Sequence, residues 1–221
     1  MLDNIVVFYI FFTIVGFLAA MIGTIIGAGG GLVFVPLFMY WFPEWSPSMV
    51  VGTSLFSVMC NAISGSIAYL KQKKVYINAA IIFSLATFPG AILGAQMSGW
   101  FSGKGFMFAF GCFMLCASVL IGFKNFRKGE RKEESLTLTH MATATSQSIL
   151  AVSTTVGVIT HLIESHIIFS IAIPTSIGAI FGAQVGARIA KRLKAKAILA
   201  LMSIAVFALA VRLILKSGIL G

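Results

Sequence analysis

Acidic residues are nearly missing from this chain. Six Asp and Glu occur in 221 residues, at Asp3, Glu44, Glu130, Glu133, Glu134 and Glu164, and every one falls in a loop or at the edge of an apolar run. Without a carboxylate inside the apolar runs, no group is available at depth to bind a metal cation or relay a proton, which argues against carboxylate-coupled cation transport and against a metal-dependent membrane enzyme. Histidine is as scarce. His161 and His166 sit beside one loop and His140 near the end of a run, so interfacial placement is expected of all three. Ser and Thr are plentiful, but none has a His and an acid beside it in the apolar runs, and no catalytic residue, metal ligand set or cofactor is expected. The three cysteines, Cys60, Cys112 and Cys116, lack metal-type spacing and read as reduced packing residues.

What remains is apolar. Hydrophobic residues make up 59% of the chain, charged residues 10%, and mean hydropathy is +1.02. Such runs are too long and too numerous for the core of a soluble domain, so the chain reads as an all-α polytopic membrane protein. A net charge of +10 would also suit a nucleic-acid binder, but Lys and Arg fall in short clusters between apolar runs, as in the cytoplasmic loops of membrane proteins. The first run follows Asp3 rather than a basic region and has no small-residue cleavage site, so it is expected to remain in the mature protein.

A membrane span needs about 20 apolar residues. By that measure spans run from Ile5 to Ile26, Met49 to Leu70, Ile77 to Trp100, Phe106 to Phe123, Met141 to Leu162, Ile167 to Ala187 and Ala197 to Leu215. Leu32 to Trp41 is too short to cross comfortably and predicts a tilted or re-entrant half-helix, giving about seven to eight membrane segments. Lys71, Lys73 and Lys74 follow one span. Lys124, Arg127, Lys128, Arg131 and Lys132 follow another, and Arg188, Lys191, Arg192, Lys194 and Lys196 a third. These loops are expected inside the cell and the loops around Trp45, Gly103 and Glu164 outside, in a cell (inner) membrane protein whose N-terminus is outside.

Glycine is concentrated where lipid would demand an unbroken helix. Gly27, Gly29, Gly30 and Gly31 interrupt the apolar stretch from Ile5 to Trp41, with Pro36 close behind. Broken backbone survives at membrane depth only where protein buries it or water reaches it, so the tract is the first candidate for a substrate path. The loop charges make it the inner tip of a hairpin.

Two parts of the chain repeat. Gly52-Thr53-Ser54 returns as Ala144-Thr145-Ser146, with Gly65 and Gly157 at the same offset, and Gly90-Ala91-Ile92-Leu93-Gly94-Ala95-Gln96 returns as Gly178-Ala179-Ile180-Phe181-Gly182-Ala183-Gln184. Matched spans are followed by loops of opposite charge character, which predicts copies inverted in the membrane, as in secondary transporters with a central site. The expected division is residues 1–126 as a first membrane repeat, 127–139 as a basic cytoplasmic linker and 140–221 as a second, shortened repeat.

In this order, the glycine tract followed by Val35-Pro36, then Val51-Gly52-Thr53-Ser54, then His140-Met141-Ala142-Thr143-Ala144-Thr145-Ser146 resembles the TauE/SafE family of sulfite exporters over nearly the whole chain. The resemblance implies a multi-pass carrier of small sulfur-containing or organic anions, such as sulfite or sulfoacetate. It also exposes a departure. The family usually carries a second glycine-rich tract before the second Thr-Ser span, and here a polar, basic stretch from Lys124 to Thr139 stands in its place. Counting back along the repeat, about 40 residues are missing.

An anion can be held without a formal positive charge. The helix restarting after the tract offers backbone N–H groups and the positive end of its dipole, equivalent to about half a charge. The candidate substrate-binding residues are Gly29, Gly30 and Gly31, the hydroxyls of Thr53, Ser54, Thr145 and Ser146, and Asn61. Hydroxyls in apolar helices also commonly bond to their own carbonyls, and Asn61 could serve as glue between helices. Gln96 and Gln184 follow packing glycines and are expected at helix contacts. Export of an anion from a cell that is negative inside runs down the electrical gradient, so no coupling ion is needed and alternating access can be electrogenic. The expected partners are a small anionic substrate and the lipid bilayer, with homo-oligomer formation left open and no nucleic acid. An anion channel, a carrier of another small anion, and a scaffold that transports nothing are the alternatives.

Overall fold

The computed structural model describes residues 2–27, 29–127, 133–190 and 195–217. All regular structure among them is helical: α1 (Leu2–Ile26), α2 (Gly31–Trp41), α3 (Pro47–Lys71), α4 (Ile77–Met97), α5 (Gly103–Arg127), α6 (Glu133–Ile163), α7 (Phe169–Ile189) and α8 (Ala195–Ser217), with a short 3-10 turn at Ser98–Trp100. Six helices among the described residues are long and apolar enough to cross a membrane, and α2 is a shorter apolar helix of 11 residues. The chain is therefore a polytopic membrane protein.

Starts and stops follow local chemistry. Ser46 caps α3 by accepting from the Met49 N–H at 3.3 Å, and Pro47 occupies the first turn, where its missing N–H costs nothing. Before α4, the chain is extended at Tyr76, and before α7 at Ile168. The helix of the second Thr-Ser span begins at Glu133, so it reaches eight residues back from the expected start at Met141 into the stretch expected as linker. Residues 128–132 lie outside the described residues.

Burial is inverted relative to a soluble protein. Ile5, Val6, Val7 and Ile10 of α1 and Ile81, Ile82 and Leu85 of α4 are exposed, while Thr24, Thr53, Asn61, Gln147, His161 and Thr175 are fully buried. Lipid covers the first set. The second set fills the bundle interior, where polar groups must find one another.

At the centre stands α3, which packs against α6 and α7. Contacts pair Gly52 with His161 and Gly65 with Gln147, so α3 and α6 run antiparallel. Ser57 Oγ meets Thr175 Oγ1 at 2.7 Å, and Ser64 Oγ donates to the Ile180 carbonyl at 2.8 Å, so α3 and α7 run parallel. Beyond them, α1 lies parallel on α7, α4 lies on α6, and α5 pairs with α8.

The two copies of the repeated glycine motif have different surroundings. On α7, Gly178 and Gly182 lie directly against the backbone of Thr13 and Phe17 of α1, and Gly186 brings Met21 O within 2.6 Å of where a Cβ would stand. Only a hydrogen in place of a side chain permits that approach. On α4, the matching Gly90 and Gly94 meet no described atom within 4 Å. What α1 does for α7, no described helix does for this face of α4.

The candidate functional site

Three residues with positive φ make the turn between α1 and α2: Gly27 at +81°, Gly29 at +66° and Gly30 at +77°. A side chain would be strained at each. The Gly27 N–H closes α1 by donating to Gly23 O at 2.9 Å, while the Gly30 carbonyl accepts from both Val33 and Phe34 and so starts α2. No side chain caps that start. The turn stops well short of the Lys71 end of α3: a Cβ on Gly29 would lie 3.1 Å from Val58, the twelfth of α3's 25 residues, and 3.2 Å from Leu150 of α6. The expected hairpin tip is thus held between the middles of two long helices, at the depth where broken backbone was expected. A hairpin arm of 11 residues is too short to reach farther.

A buried polar cluster backs the turn. Asn61 of α3 is fully buried, and its Oδ1 accepts from Thr24 Oγ1 of α1 at 2.7 Å. Its Nδ2 has no partner among the described residues and lies 3.5 Å from where a Cβ on Gly30 would stand. Tyr69 donates its hydroxyl to the Thr24 carbonyl at 3.0 Å. Gln147 of α6, also fully buried, makes a long contact of 3.5 Å from Nε2 to the Asn61 carbonyl, and its Oε1 is unpartnered among the described residues. Gly65 admits this side chain; a Cβ there would come within 2.8 Å of Gln147 Nε2. An unsatisfied buried amide group costs roughly 1–3 kcal/mol, and here two occur, one on each of these neighbouring side chains. A ligand offering oxygen to Asn61 Nδ2 would relieve the first.

The sequence-derived candidates separate into two groups. Gly29, Gly30, Gly31 and Asn61 come together, with Gly31 against Val58 and Gly30 against Asn61. The Thr-Ser pairs lie elsewhere. Thr53 is about 12 Å along α3 from Asn61, and its Oγ1 accepts from the Ile168 N–H at 3.1 Å, just ahead of α7. Thr145 acts reciprocally, since its Oγ1 accepts from the Tyr76 N–H at 3.1 Å, just ahead of α4, and donates to Met141 O. Each threonine thus anchors the connection leading into the glycine-motif helix of the other half. Ser54 donates to Val51 O in its own helix, and Ser146 is exposed.

Other expectations sort the same way. Gln184 donates to both the carbonyl and the hydroxyl of Ser64, at 2.8 and 2.9 Å, a contact between helices. Gln96 is exposed. His161, expected near the membrane interface beside a loop, lies two residues before the end of α6 and is fully buried against α3, because Gly52 leaves room for its ring. Thr24, Tyr69 and Gln147 are the polar residues of this cluster that sequence reasoning missed. Gln147 carried a signal: it directly follows the Ala144-Thr145-Ser146 match at a position where the first copy has Leu55.

The family described as sulfite exporter TauE/SafE matches residues 12–139 and 135–213. Among curated proteins, the chain is 25% identical over 265 aligned positions to a probable membrane transporter protein YunE of Bacillus subtilis (strain 168), covering 93% of this chain and 97% of that protein. It is 27% identical over 155 positions to a probable membrane transporter protein of Xylella fastidiosa (strain Temecula1), covering 68% and 59%. A probable membrane transporter protein of Haemophilus influenzae is 38% identical over 91 positions, covering 40% and 34%. An alignment of 265 positions exceeds the 221 residues here, so the Bacillus relative carries residues with no counterpart in this chain. No solved structure matches.

Proposed function

This chain belongs to the sulfite exporter TauE/SafE family, a family of membrane transporters, and from that premise we propose that it carries a small sulfur-containing or carboxylate anion outward across the cell membrane. The observation that carries the reading is Asn61 Nδ2, without a partner among the described residues, beside the start of α2, which no side chain caps. Both present positive character, one as an amide donor and the other as a helix dipole, and no carboxylate among the described residues lies near them to repel an anion.

The turn is closed in this arrangement, with Val58 and Leu150 on either side of Gly29. Access from either surface requires α3 and α6 to part around it, which is the motion that alternating access describes. With the basic loops inside the cell, each negative charge moved outward gains about 2.3 kcal/mol per 100 mV, enough to drive export without a coupled ion. The loops around Trp45, Gly103 and Glu164 then face outward, and so does the N-terminus.

The bare α4 face also bears on how the site is completed. In our reading, the helix that would cover it as α1 covers α7 belongs to the hairpin that the second repeat lacks. Gly90 and Gly94 then receive a helix from a second copy, which makes the working unit a homo-oligomer. The test of function is flux of sulfite and sulfoacetate from proteoliposomes under an imposed potential. Outward flux that rises with inside-negative voltage supports the electrogenic carrier; flux indifferent to voltage removes the electrogenic part, and no flux of any small anion removes the transport assignment.

A further inference from the structure

We propose that His161, Glu164 and His166 bind a divalent transition-metal cation at the connection between α6 and α7. One ligand atom from each of the three lies within 4.8 Å of the other two. His161 is fully buried, and neither of its ring nitrogens has a hydrogen-bond partner among the described residues. A buried imidazole ordinarily satisfies at least one nitrogen, so this ring presents an unused ligand atom.

The backbone brings the other two groups to it. Ser165 takes a positive φ of +57°, uncommon for a residue with a side chain, and the His166 N–H donates to the His161 carbonyl at 2.9 Å. The chain thereby doubles back, and the two imidazole rings come to 5.8 Å between centroids. Glu164 Oε2 stands 3.0 Å from His166 Nδ1, yet that nitrogen has no bond of hydrogen-bond geometry among the described residues. The two groups thus already stand side by side.

The far wall is closely packed. A Cβ on Gly52 would lie 3.1 Å from His161 Cβ and 3.0 Å from the His166 carbonyl, so α3 braces the turn from behind. Thr53 holds the next residues through the Ile168 N–H. On the open side, the side chains of His166 and Glu164 are 30% and 33% exposed, which gives a cation access from solvent.

Two imidazoles and one carboxylate suit zinc or a neighbouring borderline cation, with metal–ligand bonds of about 2.0–2.2 Å and a fourth position left to water. Closing the three donors onto a shared ion needs rotation of Glu164 and His166 about side-chain bonds, and the two side chains are 33% and 30% exposed. His161 and the backbone stay where they are.

The chain, purified in detergent without a histidine tag and stripped with chelator, is titrated calorimetrically with zinc. One zinc per chain is expected, with Glu164→Gln and His166→Ala each weakening affinity at least tenfold while eluting as folded protein. Cobalt in place of zinc should give the intense visible absorption of a tetrahedral site, lost in His166→Ala. No saturable zinc binding by the natural chain, or wild-type affinity in either variant, overturns the proposal. The readout is binding rather than flux, so it stands or falls apart from the transport assignment.

Discussion

Asn61 Nδ2 points at Gly30 from 3.5 Å, measured to the position a Cβ would take, while the other end of the same amide is held by Thr24 Oγ1 at 2.7 Å. One end of the side chain is committed to structure, and the other has no partner among the described residues. Asn61→Leu keeps the volume and removes the donor. We expect near-wild-type yield and thermal stability, because Thr24 can turn its hydroxyl to a carbonyl of its own helix, and a loss of anion flux of at least tenfold in proteoliposomes. Full flux in a folded Asn61→Leu protein would remove Asn61 from the site. Replacing Gly29 or Gly30 is a poorer probe, since positive φ strains any side chain there whatever its role.

The two copies of the glycine motif should answer a larger side chain in opposite ways. Gly178→Leu drives a side chain into the backbone of Thr13, and we expect the folded yield to collapse, because overpacking a rigid contact costs about 1–3 kcal/mol or more. Gly94→Leu meets no described atom and should leave monomer stability unchanged. Thermal unfolding and size-exclusion profiles of the two variants check this. A Gly94→Leu protein that folds but shifts to a smaller species would show that the α4 face is an oligomer contact.

Removing the threonine anchors should lower stability without abolishing transport. Thr53→Val leaves the Ile168 N–H, and Thr145→Val the Tyr76 N–H, without an acceptor. Each loss is expected to cost about 1–2 kcal/mol, read as a lower unfolding temperature, with flux per folded molecule near normal. A fall in flux with no change in unfolding temperature would make the hydroxyls substrate ligands instead.

Tyr40 ties the end of α2 to α8. Its ring lies under both Arg212, at 4.4 Å, and Lys216, at 4.5 Å, its hydroxyl accepts from Arg212, and its carbonyl accepts from Lys216 at 2.9 Å. Tyr40→Leu should lower stability by roughly 0.5–2 kcal/mol. Part of that difference should fade in high salt, because the groups are exposed and the ionic part is screened. An unfolding temperature unaffected by Tyr40→Leu at low salt would show that the contact contributes nothing.

Much of the architecture was legible because lipid imposes simple rules. The seven expected spans fall on helices α1 and α3 through α8, of which α1 and α3 through α7 are long and apolar enough among the described residues to cross a membrane, and the half-helix from Leu32 to Trp41 corresponds to α2, since a run of apolar residues in a membrane has no alternative to a helix. The glycine break was equally plain: four glycines in five positions cannot continue a helix, and three of them take positive φ. The candidate site was half legible. Asn61 stood out as an amide in an apolar run, whereas Gln147 and Thr24 gained meaning only through partners 86 and 37 residues away in sequence.

The sequence by itself determined the class of the protein, its membrane segments, the place where backbone breaks and the recurrence of the Thr-Ser and glycine motifs, because each depends on composition, period or order along a single stretch. Tertiary structure alone decided which repeated residues do what. Thr53 and Thr145 became anchors, and identical glycines became buried on α7 and bare on α4, because such roles depend on which helix lies opposite. The physical reason is the same in each case: a hydroxyl, an amide or a missing side chain acquires its energy from the neighbour it meets, and these neighbours are set by packing rather than by position in the chain.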